Sequence, residues 1–96
     1  MPAVARLADP CTGHADFPSR SNASASLDVF VNSKGAHRQG DNWPAHCNPV
    51  PLCHTSHLAG GSRSVFVNGK PLGRVGDGVA CGGSIAAGSS NVFAGG

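Results

Sequence analysis

Val29-Phe30-Val31-Asn32-Ser33-Lys34-Gly35-Ala36-His37-Arg38-Gln39-Gly40-Asp41 and Val65-Phe66-Val67-Asn68-Gly69-Lys70-Pro71-Leu72-Gly73-Arg74-Val75-Gly76-Asp77 are one pattern written twice, thirty-six positions apart. The shared form is V-F-V-N-x-K-x-x-x-R-x-G-D. Self-similarity at such a period marks repeated copies of one supersecondary unit. Val and Phe favour strands, and Asn68-Gly69 is a strong two-residue hairpin signal. Asn32-Ser33 is the weaker version, because serine tolerates positive φ less well than glycine. Each copy is therefore predicted to be a hairpin, the second the tighter, with return strands near residues 36–38 and 72–75. Gly40-Asp41 and Gly76-Asp77 predict a further bend, the Asp side chain accepting backbone N–H groups. Period-two alternation puts Val29 and Val31, or Val65 and Val67, on one face and Phe30 or Phe66 on the other.

Working outward, the N-terminus (Pro2-Ala3-Val4-Ala5-Arg6-Leu7-Ala8-Asp9) matches the second half of the unit, with Ala8 in place of Gly40 and Gly76. The C-terminus (Ser89-Ser90-Asn91-Val92-Phe93-Ala94-Gly95-Gly96) matches the first half. Laid side by side, the two ends make a third unit, and three short β-hairpin units then close around an axis. The fold class expected is all-β, one domain over residues 1–96, with irregular loops between units. No window holds an unbroken helical apolar period. Residues 43–58, with three prolines and most of the Cys and His, read as a crowded irregular loop.

Composition sets a limit on what the core can do. Fourteen glycines, four Phe, one Trp and no Tyr in 96 residues cannot build a large apolar core. A chain this small needs a staple, and four cysteines and five histidines are available for it. The opening lacks the apolar stretch of a signal peptide, so synthesis in a reducing cytoplasm is expected. There, Cys/His clusters are metal sites more often than disulfides. A net charge of +2 without a basic run argues against nucleic acid. No stretch of 18 apolar residues exists to span a membrane.

Register selects the ligands. His14, His46 and Cys81 each follow the closing Asp of a unit (Asp9, Asp41, Asp77) by four or five positions. His54 is chosen as the fourth over His57 and Cys53, since Pro49 and Pro51 can turn the loop back. Three imidazoles and a thiolate favour one tetrahedral, structural Zn²⁺ with no open position. Cys47 and Cys53 are left as small buried residues or a disulfide, with Cys11–Cys47 another possible pair. His37 reads as a strand-surface residue. Arg6, Arg38 and Arg74 either pair with the recurring Asp residues or are solvated.

The two blocks, the opening Pro2-Ala3-Val4-Ala5-Arg6 and the ending Asn91-Val92-Phe93-Ala94-Gly95-Gly96 resemble the PAAR-repeat family over nearly the whole chain. That resemblance implies a small conical β-protein with zinc near its vertex, held by His14, His46, His54 and Cys81. It implies a base of Val29, Phe30, Val31, Val65, Phe66, Val67, Val92 and Phe93, with turns at Asn32, Asn68, Gly69, Gly40, Asp41, Gly76 and Asp77. It further implies a non-enzymatic tip, one per trimer, on a trimeric β-helical spike protein (VgrG-like or a phage tail spike) of a type VI secretion system or contractile tail. Such a tip is a monomer when free, touches the target membrane transiently, and is delivered on a secretion needle or carried in a virion tail. Ala8, Ser33, His37, Gly73, Arg63 and Ser90 depart from the family pattern. The alternatives are a small zinc hydrolase or nuclease, for which any carboxylate base must be an Asp because the chain has no Glu, and a metal-stapled binding module unrelated to a spike.

Overall fold

Asn32 and Ser33 both lie at positive φ (53° and 66°), as do Asn68 and Gly69 (54° and 77°). Two successive left-handed residues make the type I′ turn that matches the twist of flanking strands. In a computed structural model describing residues 1–15, 17–50 and 52–96, these turns close two short hairpins. The first pairs β1 (Phe30–Val31) with β2 (Lys34–Gly35). The longer hairpin pairs β3 (Asn42–Cys47) with β4 (Cys53–His57). The last pairs β5 (Phe66–Val67) with β6 (Lys70–Pro71). All the described secondary structure is β, in a body measuring 39 × 24 × 21 Å.

The chain ends supply the third unit. Ala3 bridges Phe93, and Ala94 N–H donates to Pro2 O at 3.0 Å. One hydrogen bond then recurs in all three units: Ala36 N–H to Val29 O, Leu72 N–H to Val65 O and Val4 N–H to Val92 O, at 2.9–3.0 Å.

The units join in a closed cycle. Arg6 bridges Ala36, Arg38 bridges Leu72, and Arg74 bridges Val4. Nearest the axis, His37 N–H donates to Ala5 O, Gly73 N–H to His37 O, and Ala5 N–H to Gly73 O, at 2.8–3.1 Å. The predicted return strands over 36–38 and 72–75 are thus corrected. The return strands start immediately after the turns, at Lys34 and Lys70, and the next residues pair with neighbouring units instead.

A second cycle is made by side chains. Ser26, Ser62 and Ser89 are buried, and each Oγ accepts the N–H groups two and three residues on. Each hydroxyl donates onward to the turn of the next unit: Ser26 to Asn68 Oδ1 (2.7 Å), Ser62 to Gly95 O (2.6 Å) and Ser89 to Asn32 Oδ1 (2.6 Å). Arg38, Arg74 and Arg6 reach the same three acceptors at 2.9–3.2 Å. The arginines are therefore paired residues, not solvated ones. Each also forks onto the Asp three positions ahead, whose Oδ2 accepts the arginine's own backbone N–H at 2.8 Å. Burial opposes the Asp41 carboxylate, but hydrogen bonds from the Arg38 side chain and backbone outweigh it and hold its pKa below the usual range.

In these bends the third residue takes positive φ: Gly40 at 89°, Gly76 at 92°, and Ala8 at 72°. An L-residue there costs about 1–2 kcal/mol, partly offset because glycine is freer in the unfolded chain. Ala8→Gly is expected to stabilise by about 0.5–1 kcal/mol, a rise of roughly 2–8 °C in Tm by thermal melting. Ser33→Gly should do the same for the first hairpin.

His37 corrects the expectation of a surface residue. It is fully buried at an axial position that is Ala5 and Gly73 in the other units. At the equivalent Gly73 a Cβ would meet Leu58 Cδ2 at 2.7 Å and His37 O at 3.0 Å. His37 Nδ1–H donates to Ser24 O at 2.8 Å, its ring stands edge-on to Trp43, and Nε2 is buried without a partner among the described residues. Desolvation lowers its pKa from 6.5 against the pull of the Ser24 carbonyl and of Asp41, 4.0 Å away. The unfolded state therefore binds the extra proton first, and His37 removes stability as pH falls below about 6.5. His37→Asn, which keeps a donor for Ser24 O and does not titrate, should flatten the fall in Tm between pH 7 and 5 relative to wild type.

The core lies in two layers. Val31 and Ala36, Val67 and Leu72, and Ala94 and Val4 contribute one pair from each unit to the first. Ala5, Cys11, Trp43, Leu58, Val79 and Ile85 form the second, against which Cys81 packs. The supposed irregular loop over 43–58 is in fact the longest hairpin. Its β-poor composition hides a strand pair built on buried Trp43 and buried His46, with Pro44 exposed in the stretch where the register shifts, a position proline tolerates. Pro51, invoked for turning this segment, lies outside the described residues.

Candidate metal centre

His46 and His54 sit directly across the β3–β4 ladder from each other. His14 arrives from a tight turn in which His14 and Phe17 exchange backbone hydrogen bonds of 3.1 and 2.8 Å. Cys81 arrives on the turn after Val79, its N–H held by Ser56 Oγ at 3.0 Å. Gly82 follows it at φ 118°, and a Cβ there would press on His14 Cγ at 3.1 Å, so glycine lets this turn approach the His14 loop. His14, His46, His54 and Cys81 each offer one ligand atom, all within 4.8 Å of one another. His46 is buried and the others are half-buried.

The imidazole geometry fits a shared cation. His54 Nε2 lies 3.1 Å from His14 Nε2 and 2.6 Å from His46 Nε2. A ring nitrogen carries one proton or one lone pair, so it cannot donate to one neighbour while accepting from the other. Ligands at about 2.0 Å on a tetrahedral ion stand about 3.3 Å apart, close to this spacing. His46 Nδ1 faces Pro18 O at 2.8 Å. Arg20 Nη1, which only donates, stands 3.1 Å from the same nitrogen; the carbonyl is the nearer partner, and with Nδ1–H donating to it Nε2 keeps the lone pair a metal needs. Desolvation, with the neighbouring His46, His14 and Arg20, lowers the pKa of His54 and favours its neutral, ligating form. The Phe17 ring lies 4.3–5.0 Å from all three imidazole centroids and screens them.

Arg20, in a Ser-rich segment outside the repeat register, gave no signal in the sequence. Its guanidinium points at Cys81 Sγ (3.7 Å) and Cys11 Sγ (3.6 Å), its Nε donates to Pro44 O, and it lies over Trp43.

The remaining candidates fall elsewhere. Cys11 is a free, buried core residue, and Cys47 is joined to Cys53. His57 is exposed at the end of β4. Of the base residues, Val31 and Val67 are buried in the core. Val29, Phe30, Val65, Phe66, Val92 and Phe93 are exposed.

These features define a small all-β domain, pseudo-threefold at one end and furnished with a His₃Cys cluster at the other. The PAAR motif matches residues 12–87, and the chain belongs to that family. It is 42% identical over 76 residues to the NAD(P)(+) glycohydrolase toxin Tse6 of Pseudomonas aeruginosa PAO1, covering 74% of this chain and 18% of that protein. The (p)ppApp synthetase toxin Tas1 of P. aeruginosa UCBPP-PA14 is likewise 42% identical, with 17% of its length covered. The double-stranded DNA deaminase toxin A of Burkholderia cenocepacia H111 is 38% identical over 82 residues, 5% of its length. The chain thus spans less than a fifth of each of these relatives.

Proposed function

We propose that this chain is a structural tip that caps a trimeric β-helical spike of a contractile injection apparatus, and that its vertex holds one zinc ion on His14, His46, His54 and Cys81. The observation that carries the reading is the closed cycle of three units within one chain. It gives a monomer a face that a threefold partner can match. On that face Phe30, Phe66 and Phe93 occupy equivalent positions and are exposed by 61%, 56% and 50%. Apolar side chains presented in this way mark a surface that a partner covers.

The donor set supports zinc. Two or more imidazoles with a thiolate suit it, and four protein ligands leave no position for a reacting water, which speaks for a structural ion and a non-enzymatic module. The activities in the names of the toxin relatives are assigned to none of the residues here. In this reading the free tip is a monomer that leaves the cell on the spike and meets the target membrane only in passage. Native mass measurement of the chain mixed with a trimeric β-helical spike should give one tip per trimer, with one zinc. Absence of any complex, or a zinc-bound water beside a free Asp, would sink the reading.

A further inference from the structure

We propose that the Cys47–Cys53 disulfide is the positioning clasp of the metal centre, holding two of its four ligands together, and that a reductant opens it. The inference rests on the reading of His14, His46, His54 and Cys81 as metal ligands. Its ground is covalent adjacency: His46 precedes Cys47, and His54 follows Cys53. In the ladder His46 faces His54 and Cys47 faces Cys53, so the ligand pair and the disulfide are successive rungs.

Among the described residues, Pro18 O and the Phe17 ring touch the two histidines from outside, but the hairpin's own ladder holds this end only lightly. Below the ligand pair the register shifts between Trp43 and His46, which interrupts the regular ladder. Beyond it, Asn48 ties the turn through N–H groups of Val50 and Leu52 and through its own N–H to Leu52 O. Val50 and Leu52 are exposed and bring no apolar packing to the turn. The disulfide is the covalent tie on the far side of the two histidines. His14 comes from another part of the chain, and Cys81 from a turn that touches β4 through Ser56 Oγ. Preorganised ligands bind more tightly because less freedom is lost on binding.

The clasp is open to solution, since Cys47 and Cys53 are both exposed. A thiolate of an external dithiol attacks one sulfur, the S–S bond breaks, and a mixed disulfide forms. The second thiol of the dithiol then displaces the other protein sulfur. Two electrons and two protons pass to Cys47 and Cys53, which become thiols, and the dithiol becomes a cyclic disulfide. A small-molecule disulfide reverses the step. A chain made under reducing conditions thus carries a looser metal hairpin than the same chain in an oxidising compartment.

The test compares zinc-loaded wild type with the Cys47→Ser/Cys53→Ser variant, and with wild type reduced by a phosphine, which needs no mutation and covers a variant that fails to fold. Intact mass reports the disulfide, and a chromogenic chelator reports zinc release. Oxidised wild type should release zinc about tenfold or more slowly than both other forms, the size of effect seen when supporting groups around a metal are lost. Cobalt(II) in the reduced protein should show charge transfer from one thiolate. Zinc uptake with equal release rates overturns the clasp alone. Intensity from two or three thiolates overturns it too, since Cys47 or Cys53 would then be a ligand. No metal uptake by any form overturns the metal centre and the clasp together.

Discussion

Stripping the metal from this chain is expected to lower its melting temperature by more than about 20 °C, a loss of several kcal/mol at roughly 4–8 °C for each. The physical basis is the poverty of the remaining core. Its buried hydrophobic residues include one large aromatic, Trp43, and four of the six named strands are two residues long. A domain of this kind has a total stability of about 5–15 kcal/mol, and a structural zinc can supply on the order of 10 kcal/mol. The base end keeps its own cycles of backbone, serine and arginine hydrogen bonds, whereas the metal end is built of turns and one bulged hairpin. His46→Ala removes the most buried side chain of the cluster, and Cys81→Ser its one sulfur. Both are expected to melt close to the metal-free wild type and to gain little from added zinc. The check is a circular-dichroism melt of protein verified metal-free, with and without one equivalent of zinc. Coincident melts would show that the four side chains are close neighbours without a structural ion.

What was legible in the sequence followed from register. Val-Phe-Val-Asn and Arg-x-Gly-Asp repeat because each copy has the same turn and the same ion pair to make, so spacing alone located the hairpins and the third unit formed by the two ends. Three of the four positions read as ligands, His14, His46 and Cys81, were read the same way, each following a unit's closing Asp, whereas His54 was chosen because Pro49 and Pro51 can turn the loop back. Features that break register were not legible. Ser26, Ser62 and Ser89 do keep register, each three residues before Val29, Val65 or Val92, but their Ser-rich surroundings gave them no distinctive signal. His37 looked like a surface residue because its counterparts, Ala5 and Gly73, are small. The β3–β4 hairpin has almost no β-forming residues outside Trp43, and its pairing is fixed by long-range burial and by the Cys47–Cys53 link, neither of which local propensity reports. Arg20 is positioned wholly by tertiary contacts.

Replacing Phe30, Phe66 and Phe93 together with serine is expected to abolish capture of a trimeric spike while leaving the melting temperature within a few degrees of wild type. The two effects separate because the rings are already half or more in water, so truncation removes little folding energy and surface changes of this kind usually stay within about 0.5 kcal/mol each. In a docked complex the same rings would be the aromatic anchors, for which truncation commonly costs about 2 kcal/mol or more apiece. Even with imperfect additivity, a loss of about 4 kcal/mol or more is a thousandfold in affinity. Threefold docking makes a sharper demand. The single variants Phe30→Ser, Phe66→Ser and Phe93→Ser occupy equivalent places and should weaken binding by similar factors. Inequality should track the one neighbouring position where the units differ most, which is Leu27, Arg63 and Ser90 in turn. Val50→Ser and Leu52→Ser provide the control, since these residues are as exposed (81% and 61%) but lie on the turn beyond the ligand histidines. Calorimetric titration against the spike separates the outcomes. Phenylalanine variants that bind like the controls would show that the exposed ring of aromatics is not the docking face, even if a metal still locks the other end.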